Sequence, residues 1–226
     1  MVRHRFLLVT AFLISTEIVA ANLTANAQRA ADLTGERDNA AASPARLKRV
    51  GHKGSGPLEQ AFQDAISILS KNNSCSRFYG DTKTTVEVLG RLATQFQIHL
   101  LGDSRTGIEM SGNSTYFAQT EGHAAYRLFT AATINTGGPF FKAKVFPSDP
   151  RVPPVGSFLP NTREARVLML LHELAHLVRG QNGSWLIPDD GGSPKLSCEN
   201  TALIESQCKA QILWLTEAGT NQIASN

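Results

Sequence analysis

Asn161-Thr162-Arg163-Glu164-Ala165-Arg166-Val167-Leu168-Met169-Leu170-Leu171-His172-Glu173-Leu174-Ala175-His176-Leu177-Val178-Arg179-Gly180 is the stretch on which the reading of this chain turns. Asn161 with Glu164 three residues on has the form of a capping box, and Gly180 after Arg179 has the form of a stop. A helix of about eighteen residues is predicted between them. Its flanks Met169-Leu170-Leu171 and Leu177-Val178 carry no charge, so His172, Glu173 and His176 fall in the apolar part of that helix. Burying such a trio without partners costs several kcal/mol, which argues against a role in packing alone.

Histidines four apart on a helix lie roughly 6 Å apart along the axis and about 40° apart around it, so both imidazoles can reach one ion. Glu173, next to the first histidine, can reach a water held by that ion without displacing it. Zinc is the expected ion, because it accepts two nitrogens and one oxygen and leaves a position open. With six histidines in 226 residues, chance alone produces His-Glu-x-x-His in about one such chain in a hundred. The apolar context adds weight to the motif.

These residues resemble the zincin metallopeptidases, whose extended signature is an uncharged segment around His-Glu-x-x-His, matched here by Met169 to Val178. The resemblance covers that helix and little else. It implies zinc ligands at His172 and His176, a catalytic base at Glu173, and an α+β fold with a small sheet beside the metal-bearing helix and a C-terminal helix closing the site. The metzincin extension is absent, since Arg179 stands in place of its glycine and Asn182 in place of its third ligand.

The third ligand must come from elsewhere, and Asp189, Asp190, Glu199 and Glu205 follow downstream. Asp190 is favoured, because a carboxylate just before Gly191 and Gly192 can fold back toward the helix, as in the aspzincin subset, although that subset's longer motif is missing. Asp189 reads more simply as a turn residue. Glu199 matches the glutamate that thermolysin-like zincins carry on a following helix, yet it also reads as a favourable charge in a first helical turn. Glu205 reads as a solvated helix residue. Tyr116, His123 and Tyr126 are the polar aromatics available to stabilise an oxyanion, with nothing in their spacing to mark one of them. His99 reads as a strand residue and His52 as a linker residue.

Beyond the motif, the chain is organised simply. Arg3, His4 and Arg5 precede the apolar run Phe6 to Ile14, and Ala25 and Ala27 offer a cleavage site before Gln28, so residues 1–27 read as a signal peptide. An uncleaved anchor is the alternative. Residues 28–57 are rich in Ala, Gly, Ser, Arg and Lys and read as a flexible linker. Residues 58–226 are left as one catalytic domain, with no second domain and no further membrane-length segment. The protein is expected to be secreted or periplasmic, without membrane insertion after signal removal. Nothing in the sequence sets its oligomeric state.

A net charge of +3, much of it near the N-terminus, gives no basic face for nucleic acid, so the expected partner is a peptide or protein substrate. Two other readings stay open. One is a zinc hydrolase of a different amide, such as a cell-wall peptide, because the motif specifies water activation and leaves the substrate free. The other is a non-catalytic exported binding protein whose zinc positions are all filled by protein.

Helical periodicity is seen at Leu58, Phe62, Ile66 and Leu69, ending at Asn72-Asn73, and over Thr84 to Gln95. Gln97–Leu101 and Phe140–Phe146 look strand-like, and Ala124–Asn135 fits either state. Five prolines between Pro147 and Pro160 make that stretch a loop. Asp189–Pro194 is a second loop, after which Ser197 is expected to cap a last helix running to about Glu217. Of the three cysteines, Cys198 and Cys208 lie on that helix roughly 15 Å apart, too far to bridge. Cys75 with Cys208, on the apolar stripe, is the expected disulfide.

Overall fold

The computed structural model describes residues 56–120, 122, 124–143, 152–180 and 182–223. The expected signal peptide, most of the linker with His52, His123 and the first two prolines of the Pro147–Pro160 loop lie outside the described residues. Among the described residues the chain is α+β, with five helices and one three-stranded mixed sheet. No described helix is long and apolar enough to cross a membrane.

Helix α1, Pro57–Leu69, starts with proline in its first turn and buries Phe62, Ala65, Ile68 and Leu69. A short helix follows that no periodicity announced: α2, Ser74–Tyr79, capped by Asn73 in a capping box with Ser76. Six residues are too few to display a repeat, and an Asn-Asn pair has the same form as a break between helices. Helix α3, Thr82–Gln95, is capped by the Asp81 carboxylate and buries Val88, Leu89 and Leu92.

The sheet has the order β1-β3-β2, with β1 (Phe96–His99) parallel and β2 (Ile108–Phe117) antiparallel to β3 (Tyr126–Asn135). β3 is central, which resolves Ala124–Asn135 as strand. β2 carries no clear apolar alternation because its residues are mostly polar and only Ile108 is buried, as suits an edge strand. A register shift between Ser111 and Ser114 interrupts it, and Gly112 there has φ 84°. At the end of β3 the buried Asn135 amide uses all its bonding capacity. It accepts from the Leu101 and Gly137 amides and donates to the Asp103 and Thr106 carbonyls, tying both neighbouring loops to the strand.

Phe140–Phe146 is not a strand over its described part. Phe141 and Lys142 turn back onto the Gly138 carbonyl, and Phe140 is fully buried as a packing residue. Its apolar character reflects that burial, which period alone cannot tell from a buried strand.

Helix α4, Arg163–Leu177, is the hub, packed against α1, α3, α5 and the sheet. Both its ends depart from expectation. Thr162, not Asn161, is the cap, its hydroxyl accepting from the Ala165 amide, while Asn161 sits at φ 61° with its side chain turned to Arg166. At the other end Gly180 is not the stop. Val178 is already extended, at φ −109° and ψ 152°, because its backbone pairs with Tyr126 in an isolated bridge and accepts from Leu186. A strand-like partner ends the helix two residues before the glycine.

Helix α5, Pro194–Ile223, begins at the Ser193 hydroxyl, which accepts from the Leu196 amide, so Ser197 lies inside the first turn. The Cys75–Cys208 disulfide joins α2 to α5 with 4.4 Å between Cα atoms, and Cys198 is free and exposed. Arg163 adds a second tie, bridging the buried Asp64 of α1 and the Leu215 carbonyl of α5.

Candidate metal centre

The C-terminal half of α4 is buried almost all round, with Leu170, Leu171, Leu174, Ala175 and Leu177 wholly enclosed. His172 and His176 are 5% and 4% exposed in that setting, so their polar edges need partners. Their Nε2 atoms approach to 3.0 Å. The loop after Trp185 brings Asp190 against both, with Oδ2 3.2 Å from His172 Nε2 and Oδ1 3.5 Å from His176 Nε2. These three residues could hold a metal ion, since their donor atoms all lie within 4.8 Å of one another.

The donor set fits a cation on two grounds. Two imidazole nitrogens at this separation cannot both present lone pairs to each other unless a proton or a cation lies between them. Tetrahedral bonds of roughly 2.0–2.1 Å also put neighbouring ligand atoms about 3.3 Å apart, close to the separations seen. Asp190 stays ionised: burial pushes its pKa up, but its contacts with His172, His176 and Ser197 outweigh that and hold it well below the usual carboxylate range. Glu173 behaves oppositely. Burial pushes its carboxyl up to about 7, with Asp190 reinforcing the rise and His172 opposing it. A carboxyl poised there can take up and give back a proton near neutral pH.

The supporting contacts come from elements that the motif does not name. Thr201 Oγ1 lies 3.0 Å from His172 Nδ1, and Asn200 Nδ2 donates to Asp190 Oδ1 at 2.6 Å and to the Pro188 carbonyl. Ser197, Asn200 and Thr201 share one face of the first turns of α5, at i, i+3 and i+4. That polar triplet ahead of an apolar helix was a signal the sequence offered. From β3, the buried Arg127 donates to the His176 carbonyl at 2.9 Å. Tyr79 of α2 donates to the Leu171 carbonyl at 2.5 Å. Neither long-range contact had a sequence signal.

Of the predicted ligands, His172, His176 and Asp190 come together and the others do not. Asp189 stays at the edge of the group, its Oδ1 3.9 Å from His176 Nδ1, and is held by both terminal nitrogens of Arg127 with its side chain 59% exposed. Glu199 faces solvent beside Lys195, at 3.7 Å. Glu205 is not a solvated residue: it is buried, accepts from the Ser157 amide and hydroxyl, and pairs with Lys209 at 2.8 Å. Gly156 at φ 57° passes so close to Glu205 that a Cβ would sit 2.2 Å from Oε2.

Among the oxyanion candidates, Tyr126 is buried and stacked on Phe117 at 4.5 Å. Tyr116 is 61% exposed, and hydrogen bonds with Ser114 and Arg127 keep its pKa below the usual tyrosine value. His99 ends the edge strand β1. Compared with known proteins, the chain matches no protein-family model, no curated protein and no solved structure.

Proposed function

We propose that this chain is an exported zinc metallopeptidase of the zincin kind, closest in its ligand set to the aspzincin pattern. The observation that carries the reading is the convergence of the donor atoms of His172, His176 and Asp190, with Glu173 next to the first of them in the helix. Two imidazoles and one carboxylate favour zinc among common divalent ions, and three protein ligands leave room for substrate. A three-stranded sheet beside the ligand helix, with α5 closing over Asp190, supports the zincin-like arrangement. The disulfide supports an oxidising compartment and hence export.

Bound zinc supplies Lewis acidity toward a carbonyl and toward water. The chain's own residues do the rest. His172 and His176 bind through Nε2, and Asp190 binds as a carboxylate. Glu173 would take the proton of the attacking water and return it to the departing amine.

The test uses the mature protein with zinc determined by elemental analysis. Wild type is expected to hold one zinc and to cleave casein. His176→Ala and Asp190→Ala are expected to lose the metal, while Glu173→Gln keeps it and loses hydrolysis by about 100- to 10,000-fold. Zinc retained with no hydrolysis in wild type points to the binding-protein reading. Cleavage of isolated wall peptides without casein points to the other amide substrate.

A further inference from the structure

Resting on the metal-centre reading, we infer that Arg127 and Asp189 form a latch that sets Asp190 in ligating position, making both positioning residues for the ion. Arg127 is only 4% exposed and lies on the central strand, yet its guanidinium faces two segments that each carry a ligand. Its Nε donates to the carbonyl of His176, the last ligand of α4. Its two terminal nitrogens grip both oxygens of Asp189, the residue before Asp190. One planar fork thus fixes the distance between the end of the helix and the ligand loop.

Two rings pack near the fork, Trp185 at 4.5 Å and Phe129 at 5.2 Å from the guanidinium carbon. Trp185 belongs to the same return segment, bridged to Arg179. The pairing also explains why two adjacent aspartates have different duties. A buried guanidinium close to a divalent cation would repel it, and Asp189 neutralises that charge, leaving Asp190 free to ligate. The bidentate grip needs arginine's geometry, since an ammonium cannot hold a carboxylate and a carbonyl in one plane.

The experiment measures zinc affinity by competition with a chromophoric chelator in the full mature protein. The variants are Arg127→Gln, Arg127→Lys, Asp189→Asn and the double variant Arg127→Gln/Asp189→Asn. Each single change is expected to weaken zinc by about 10- to 100-fold, as loss of an outer-shell partner does. The double is expected to lose no more than the larger single loss, because both act through one contact. Cobalt in place of zinc gives a second readout. Its visible bands should move in Asp189→Asn toward those of Asp190→Ala, a change that a purely structural role would not produce. Thermal unfolding of the metal-free proteins checks that each variant folds, and Arg127→Lys replaces Arg127→Gln in the cycle if the latter does not.

Unchanged affinity in Asp189→Asn, or additive losses in the double, overturns the latch while leaving the metal centre standing. A wild type that takes up neither zinc nor cobalt overturns both.

Discussion

Thr201 holds Oγ1 3.0 Å from Nδ1 of His172, and the direction of that bond decides which imidazole nitrogen carries the proton. With Nδ1–H donating to the hydroxyl, Nε2 keeps its lone pair for an ion. Thr201→Val removes the acceptor at nearly constant shape. The zinc dissociation constant is then expected to rise roughly 10-fold, with the circular dichroism spectrum unchanged. No weakening in a chelator titration would show that packing alone orients the ring. At this scale the sequence was most informative about residues close along the chain: His172, Glu173 and His176 are fixed by helical spacing, and Asp190 by a turn. Arg127 was silent because a lone arginine in a strand announces nothing until a partner sixty-two residues away is placed against it.

Among the elements, α2 and α5 show what periodicity conveys and what it omits. α5 was legible as an apolar stripe, and Cys208 on that stripe indicated the Cys75 pairing. Yet α2, the other anchor of the bridge, was too short to see. Likewise β2 was hidden by its polar edge, while the end of α4 is set by pairing between distant segments instead of by a local glycine. The bridge encloses a separation of 133 residues, so chain entropy assigns it about 4–5 kcal/mol. Removing it by Cys75→Ala/Cys208→Ala is expected to cost about 2–5 kcal/mol in urea unfolding, with zinc-loaded protein still obtainable at low denaturant.

Glu205 ties α5 to the loop before α4 and should govern acid sensitivity. Burial raises its pKa, but hydrogen bonds from Lys209 and Ser157 outweigh that, and the folded value lies below the unfolded one. Its stabilising contribution is therefore complete above the unfolded value of about 4.3 and fades as pH falls through the folded pKa. Glu205→Gln should unfold at lower urea than wild type at pH 7, with the gap narrowing toward pH 3. A gap independent of pH would assign the effect to packing around Gly156 instead.

For the molecule as a whole, an ion at this site would couple to the fold, since the three residues that could hold it lie on one helix and one loop while their supports come from β3 and α5. Anything that binds the folded state alone raises its stability, by about 4 kcal/mol at a ligand concentration a thousand times the dissociation constant. Chelation with EDTA is thus expected to lower the unfolding temperature by several degrees, and excess zinc to restore it, as read by calorimetry. An unfolding temperature indifferent to both treatments would dissociate the metal from the fold.

Cys198 is exposed and unbridged on the same helix as Cys208, ten positions earlier in the chain. During synthesis from the N-terminus, Cys75 is made first and Cys198 reaches it before the native partner does. Oxidation at that stage would join Cys75 to Cys198, and exchange of thiols would have to undo that bond before α5 could settle over the ligand loop. Cys198→Ser is then expected to speed recovery of the native bridge on oxidative refolding, and an unchanged rate would show that no such detour is taken.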